Sequence, residues 1–470
     1  MPVNLLRNLP SVNELLESPP LRNLAARLSH SVVVTRARGV LEELRSELKT
    51  SASEASLPNV ADLAERIARR ILEGEQPSLR SVVNATGILL HTGLGRAPLA
   101  DEAIDALVSV ARGYASVELD LASGERSQRM AAVEGLLKEL TGAEAALVIN
   151  NNAGATMLTL SALCAGREVI VSRGQLIEIG GSYRLPDVMS TSGAKLREVG
   201  TTNKTRIDDY RQAIGETTAA LFRAHTSNYR IVGFTAEASL AELVALGRQH
   251  SLPVIDDIGS GALIDLTPWG VTGEPMASAS IRQGADLVLF SGDKLLGGPQ
   301  CGCIVGRREL VERIAKHPMT RALRVDKLTL AALAATLPLY RKPEEAQQRI
   351  PLLQLLTTPI ENLKLRAERL ATQLAAIPSV RAAAAMEDVA YLGGGSVPTQ
   401  QIKTWAVALT PAELSVDRFA QALRIGTHSV VGRIQDGKLL LDLRSVFARQ
   451  DQDLVTAVSQ VGGQEAMVDN

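Results

Sequence analysis

A lysine that follows an apolar run and sits among glycines does little for stability, but it is well placed for covalent chemistry. Lys294 is such a residue, in the run Phe290-Ser291-Gly292-Asp293-Lys294-Leu295-Leu296-Gly297-Gly298-Pro299. Burial lowers the proton affinity of a lysine, and the free amine can condense with a carbonyl to form a Schiff base. Ser291, three residues earlier, can hold a phosphate through its hydroxyl while the amine reaches the carbonyl of the same ligand. The glycines let backbone approach a bulky group closely. The competing reading, a solvated surface lysine, is disfavoured by these flanks.

Two further clusters fit the same ligand. Asn150-Asn151-Asn152-Ala153-Gly154-Ala155-Thr156 reads as a strand end running into a helix start. Unpaired N–H groups there attract an anion, and Gly154 and Ala155 leave room for a phosphate. Plain N-capping by an asparagine uses the same residues. Pro253-Val254-Ile255-Asp256-Asp257-Ile258-Gly259-Ser260-Gly261 ends an apolar strand in two carboxylates, which are costly there unless paired. A carboxylate that keeps a pyridine nitrogen protonated makes the ring an electron sink. Asp256 and Asp257 are both candidates, with Asp257 preferred for the direct contact; a helix N-cap or solvated turn is the alternative. The ligand these clusters describe is pyridoxal 5′-phosphate (PLP). Their order along the chain resembles the aspartate-aminotransferase-like fold, fold type I of PLP enzymes, a scaffold that hosts many reactions.

The surrounding elements must bring these residues to one edge. Apolar runs at 145–150, 168–172, 220–225, 253–258 and 286–291 alternate with helical segments near 157–163, 239–250 and 276–282. That alternation predicts an α/β domain with a mainly parallel sheet covered on both faces, and a ligand at the carboxyl ends of its strands. Residues 1–76 read as an N-terminal helical domain, from leucines at helical spacing (Leu5, Leu6, Leu9, Leu15, Leu16) and a helix over 60–72. Residues 77–345 form the expected PLP-binding large domain. Residues 346–470 read as a small C-terminal α+β domain, with a long leucine-bearing helix, a turn at 393–395, strands near 404–409 and 439–443, and a helix near 416–423.

Composition narrows the class. Lys+Arg number 50 and Asp+Glu 51, so no broad electrostatic attraction to nucleic acid or membrane is expected. Residues 1–80 hold 11 basic and 10 acidic side chains, with no basic stripe. Aromatics are 3%, too few to announce base-stacking platforms. Cys164, Cys301 and Cys303 fit a reducing compartment and read as buried small hydrophobes, since no neighbouring Cys or His completes a tetrahedral metal site. No apolar run reaches the length of a signal peptide or a membrane span, so a cytoplasmic location is expected.

Longer motifs identify the chain more closely. They are 6–12 (Leu-Arg-Asn-Leu-Pro-Ser-Val), 84–87 with 91–98, 198–205, 225–234, 257–261, 291–300 and 431–434. Through them the chain is similar, nearly end to end, to the bacterial selenocysteine synthases, the L-seryl-tRNA(Sec) selenium transferases. The resemblance implies that Lys294 carries PLP and that Arg96, Arg321 and Arg324 hold selenophosphate, the selenium donor. Arginine forks suit tetrahedral oxyanions, though a solvated surface is the plain reading of Arg321 and Arg324. It also implies that Asn228 hydrogen-bonds the ring hydroxyl of the cofactor. Further implications are serine-charged tRNA(Sec) as substrate, recognised by the N-terminal domain, conversion through an aminoacrylyl intermediate, and a homodecamer built from dimers. The chain departs from the family pattern at Gly93, Ser127 and Thr427-His428-Ser429; the first two bear on the pocket entrance.

Two other readings compete. A PLP-dependent lyase acting on a small amino-sugar phosphate or amino acid shares the catalytic features but is not expected to carry the opening helical segment. A catalytically silent RNA-binding protein has no use for an intact Lys294, Asp257 and Arg96.

Overall fold

The computed structural model describes residues 9–50, 59–75, 79–179, 183–226, 228–393 and 396–463. Leu5 and Leu6, the polar stretch 51–56, Ser227 and Gly394-Gly395 of the expected turn lie outside the described residues. The chain divides into two compact units, 1–81 and 82–470. In the first, helices Val12–Leu16, Pro19–Leu28, His30–Thr50 and Val60–Glu75 enclose a core of Leu15, Leu21, Leu41, Leu63, Ile67 and Ile71. The Ser11 hydroxyl caps the first helix by accepting from the Glu14 N–H.

The second unit is built on a seven-stranded sheet: β1 (Ala145–Ile149), β2 (Glu168–Ser172), β3 (Lys195–Val199), β4 (Thr218–Ala224), β5 (Val254–Gly259), β6 (Leu287–Ser291) and β7 (Gly302–Gly306). Their order is β1-β7-β6-β5-β4-β2-β3, and only β7 runs antiparallel to its neighbours. Successive residues serve opposite faces, the two-residue period of a strand. Val288 and Phe290 fill one core, while Leu287 and Leu289 fill the other. Five of these strands follow the apolar runs of the sequence. β3 and β7 do not: Lys-Leu-Arg-Glu-Val is an edge strand with three exposed side chains, and Gly-Cys-Ile-Val-Gly is short and glycine-bounded.

The C-terminal part holds a second sheet, in the order Arg433–Gln435, Lys438–Asp442, Ser396–Pro411, Val380–Gly393, Ile88–Leu90. Helix Ile360–Ala375 packs on it, over a core that includes Leu370, Phe419 and Leu441. The segment just after residue 81, expected in the large domain, joins this region: Ile88–Leu90 adds a parallel strand beside Val380–Gly393, and Val82–Asn84 pairs with Ser429–Val431.

Candidate active site

The carboxyl ends of β1, β4, β5 and β6 meet around a cavity of about 240 Å³, whose lining includes Arg96, Asn152, His225, Asp257, Ser291 and Lys294. Lys294 is 5% exposed. Its turn is pinned on both sides: the Leu295 N–H donates to the Ser260 carbonyl at 2.9 Å, and the Gly297 N–H to the Lys294 carbonyl at 2.9 Å. Only glycine fits at 292, because a Cβ there would lie 2.4 Å from Cys301 Sγ. Burial, then the nearby Arg96 guanidinium, lowers the Lys294 pKa, and Asp257, Asp293 and Glu274 pull it back in part. The amine is therefore freer to act as a nucleophile or base than that of a surface lysine.

Arg96 reaches the pocket from a left-handed backbone conformation, φ 63°, which costs a non-glycine residue energy. Its guanidinium donates to Asp293 Oδ2 at 2.8 Å. The arginine is thereby held one residue from the reactive lysine.

The two adjacent aspartates part company, as the strand period requires. Asp257 faces the helix Asn152–Cys164, and its carboxylate accepts from Asn152 Nδ2 at 2.8 Å, Thr156 Oγ1 at 2.9 Å and the Gly259 N–H at 3.1 Å. Burial raises its pKa, against the lowering effect of Asn152, Thr156 and Lys294. Asp256 points through the other face, fully buried, where Arg223 Nη1 donates to it at 2.9 Å. The expectation that Asp256 touches the cofactor is corrected here: the sheet lies between its carboxylate and the cavity.

The asparagine loop also needs correction in detail. Asn151 caps the helix Asn152–Cys164, so its side chain accepts from the Gly154 N–H at 2.9 Å and its carbonyl from the Ala155 N–H at 3.0 Å. Those two N–H groups are spent within the helix. Asn152 and Ala153 line the cavity, whereas Gly154 and Ala155 are buried behind them. The capping reading holds at Asn151. Ser291, 6% exposed, lines the cavity.

Three expected residues are not brought together with these. Arg321 and Arg324 are exposed and do not line the cavity. The backbone of Arg324 bridges that of Ile149 beside the asparagine loop, while its guanidinium lies 3.7 Å from Glu118, a carboxylate held below its usual pKa by Arg126 and Arg129. Asn228 donates from Nδ2 to the Glu178 carbonyl at 2.7 Å and does not line the cavity either.

His225, Tyr183 and Gln300 line the cavity and were not singled out from the sequence. His225 had a legible signal, as the last residue of the apolar run 220–225, just beyond the end of β4. Tyr183 had none, because it lies on a two-residue strand outside the main sheet.

The residues fit PLP: a buried lysine with lowered proton affinity, a buried carboxylate held by three donors on the cavity side, and the start of a 13-residue helix in the cavity wall.

The comparisons agree. Residues 82–447 match the family model described as L-seryl-tRNA selenium transferase, and residues 6–45 match the model of the selenocysteine synthase N terminal region. An L-seryl-tRNA(Sec) selenium transferase from Moorella thermoacetica is 50% identical over 97% of each chain. One from Carboxydothermus hydrogenoformans is 46% identical over 95% of each. Among solved structures, D-glucosaminate-6-phosphate ammonia-lyase matches with a TM-score of 0.57, over 83% of this chain and 97% of that one. At 20% identity that likeness concerns the fold alone and lends nothing to the amino-sugar lyase reading. The architecture is the aspartate-aminotransferase-like, PLP fold type I scaffold, and the cofactor it takes is PLP. With both of its regions matched and relatives near half-identical from end to end, the chain belongs to the L-seryl-tRNA selenium transferase family.

Proposed function

We propose that the chain replaces the side-chain hydroxyl of L-seryl-tRNA(Sec) with selenium from selenophosphate, giving L-selenocysteinyl-tRNA(Sec) and, as the Se–P bond breaks, phosphate. The observation that carries this reading is the meeting of Lys294, Asp257 and Arg96 at one pocket, in a chain whose likeness to L-seryl-tRNA(Sec) selenium transferases covers 97% of its length. When bound, PLP supplies an electron sink for the pair left on Cα as its proton departs. Asp257 is assigned to the pyridine nitrogen, and Ser291 with the N–H groups of Asn152 and Ala153 to the phosphate. Lys294 Nζ would hold the cofactor's aldehyde. Freed of that bond, Nζ would be an amine placed to take the Cα proton and to pass it to the Cβ oxygen, which would leave as water.

Arg96, Arg321 and Arg324 are assigned to the oxyanion of selenophosphate. Arg324 must give up its contact with Glu118 to take part. The N-terminal unit is assigned to tRNA recognition, the assembly to a homodecamer of dimers, and the compartment to the cytoplasm. Among the described residues no helix is long and apolar enough to cross a membrane.

The test is conversion itself. Protein loaded with PLP is given seryl-tRNA(Sec) and selenophosphate, and the amino acid released from the tRNA is identified by mass. Selenocysteine is expected, and Arg321→Ala and Arg324→Ala should raise the KM for selenophosphate. Recovery of serine alone, from protein that demonstrably carries its cofactor, defeats the reading.

A further inference from the structure

Glu118 sits among three guanidinium groups. Arg129 grips its Oε1 with a fork, from Nε at 3.1 Å and Nη2 at 2.9 Å, and Arg126 Nη2 donates to Oε2 at 2.9 Å. Arg324 is the third, with Nη1 3.7 Å from Oε1, too long for a hydrogen bond. Both carboxylate oxygens therefore have donors already, and Arg324 is held by charge alone. The backbones on either side are firmer. On the Glu118 side, the Ser127 N–H donates to the Glu118 carbonyl at 3.0 Å, beside a bridge between Leu119 and Arg126. On the Arg324 side, the Asn150 N–H donates to the Leu323 carbonyl at 2.8 Å, and Arg129 Nη1 to the Val325 carbonyl at 3.1 Å. Asp326 then caps the helix Lys327–Thr336, accepting from the Leu328 and Thr329 N–H groups at 2.7 and 2.9 Å. With the chain pinned before and after Arg324, movement is confined to the torsions of its own side chain.

One carboxylate among three arginines leaves the group an excess of positive charge. A tetrahedral oxyanion offers Arg324 paired, charge-assisted hydrogen bonds, which the long contact with Glu118 does not. We infer that Glu118 is a positioning residue that competes with the oxyanion for Arg324: the guanidinium leaves Glu118 for selenophosphate and returns to it as phosphate departs. The carboxylate thus weakens the hold on donor and product alike, and keeps the phosphate from lingering after the Se–P bond has broken. Arg129 serves both states, because it fixes Glu118 with one edge of its guanidinium and the Val325 carbonyl with the other. The inference rests on the assignment of Arg324 to the donor oxyanion made above, and adds the group that takes it back.

The test uses the full chain loaded with PLP. Its probe is inorganic phosphate, titrated by phosphorus NMR line broadening. Glu118→Gln keeps the shape of the side chain and removes its charge. It is expected to lower the Kd for phosphate on the order of two- to fivefold, the strength of a partly exposed ion pair. In an Arg324→Ala background the same substitution should leave the Kd unchanged, because no guanidinium remains to be released. Glu118→Asp keeps the charge but draws it back from Arg324 by one methylene. It serves if the neutral side chain unsettles the loop, and it too should tighten phosphate only when Arg324 is present. In turnover, Glu118→Gln should lower the KM for selenophosphate by the same factor. An unchanged or raised Kd in both Glu118 variants overturns the inference. So does equal tightening with and without Arg324, since that is long-range charge acting on the whole site. Failure of the parent reading looks different: wild-type protein then leaves seryl-tRNA(Sec) unconverted, and Arg324→Ala alone binds phosphate as wild type does.

Discussion

Replacing His225 with Gln should flatten the acid side of the stability profile. The ring is buried in the pocket wall, and burial, followed by the Arg223 guanidinium, pushes its pKa down to about 4. Asp256 and a hydrogen bond to the Gly273 backbone pull weakly the other way. In the unfolded chain a histidine titrates near 6.5. Because the folded pKa is the lower one, the unfolded state binds the proton first. The stability contribution is therefore complete above about pH 6.5 and is lost as pH falls toward 4. The gap of about 2.5 units corresponds to about 3.4 kcal/mol in full, at 1.36 kcal/mol per unit. Between about pH 7.5 and about pH 5 the expected loss is about 2 kcal/mol. Urea unfolding of the cofactor-free protein at both pH values, followed by tryptophan fluorescence, measures it; Trp269 and Trp405 both report on residues 82–470. Other groups titrate over the same range, so the decisive quantity is the difference in pH dependence between wild type and His225→Gln. Equal pH dependence in the two proteins refutes the reasoning. A neutral His225 matters for the site because it adds no second positive charge beside Lys294 and Arg96.

Further outcomes follow from the same geometry. Asp257→Asn should raise the Kd for PLP, measured by fluorescence titration. Asp256→Ala should leave that Kd near wild type and lower stability by about 3 kcal/mol, because Arg223 loses its buried partner. Gly302→Ala places a Cβ 2.3 Å from the Asn151 carbonyl oxygen, a backbone atom that cannot swing aside. It should cost roughly 1–3 kcal/mol in thermal unfolding and weaken cofactor binding by displacing the asparagine loop. Arg96→Ala removes a cation that lowers the Lys294 pKa and leaves Asp293 unneutralised. The pH midpoint for loading PLP onto cofactor-free protein should therefore move upward; a downward move contradicts the electrostatic account.

The site was legible where chemistry and strand period coincide. Lys294, Asp257 and Ser291 each end or follow an apolar run, and a parallel sheet brings such positions to one edge. The choice between Asp256 and Asp257 is a question of strand phase, and each neighbour in the run fills a different core. Gly154 and Ala155 were misplaced by two residues because a capping asparagine consumes its own helix's N–H groups, which composition alone does not reveal. Val380–Gly393 is the clearest loss in the fold. Its run Ala-Ala-Ala-Ala favours a helix, yet it forms a strand because it pairs along nearly its whole length with Ser396–Pro411. Tyr183 lies on a two-residue strand outside the main sheet and leaves no periodic trace.

The measurement that bears most directly on the account is chemical mapping of the cofactor lysine. Protein loaded with PLP is reduced with borohydride, digested, and its peptides are weighed. The account predicts a phosphopyridoxyl group on the peptide containing Lys294, absent from Lys294→Ala protein prepared in the same way. A modified peptide from any other lysine, or none at all from visibly coloured protein, contradicts it.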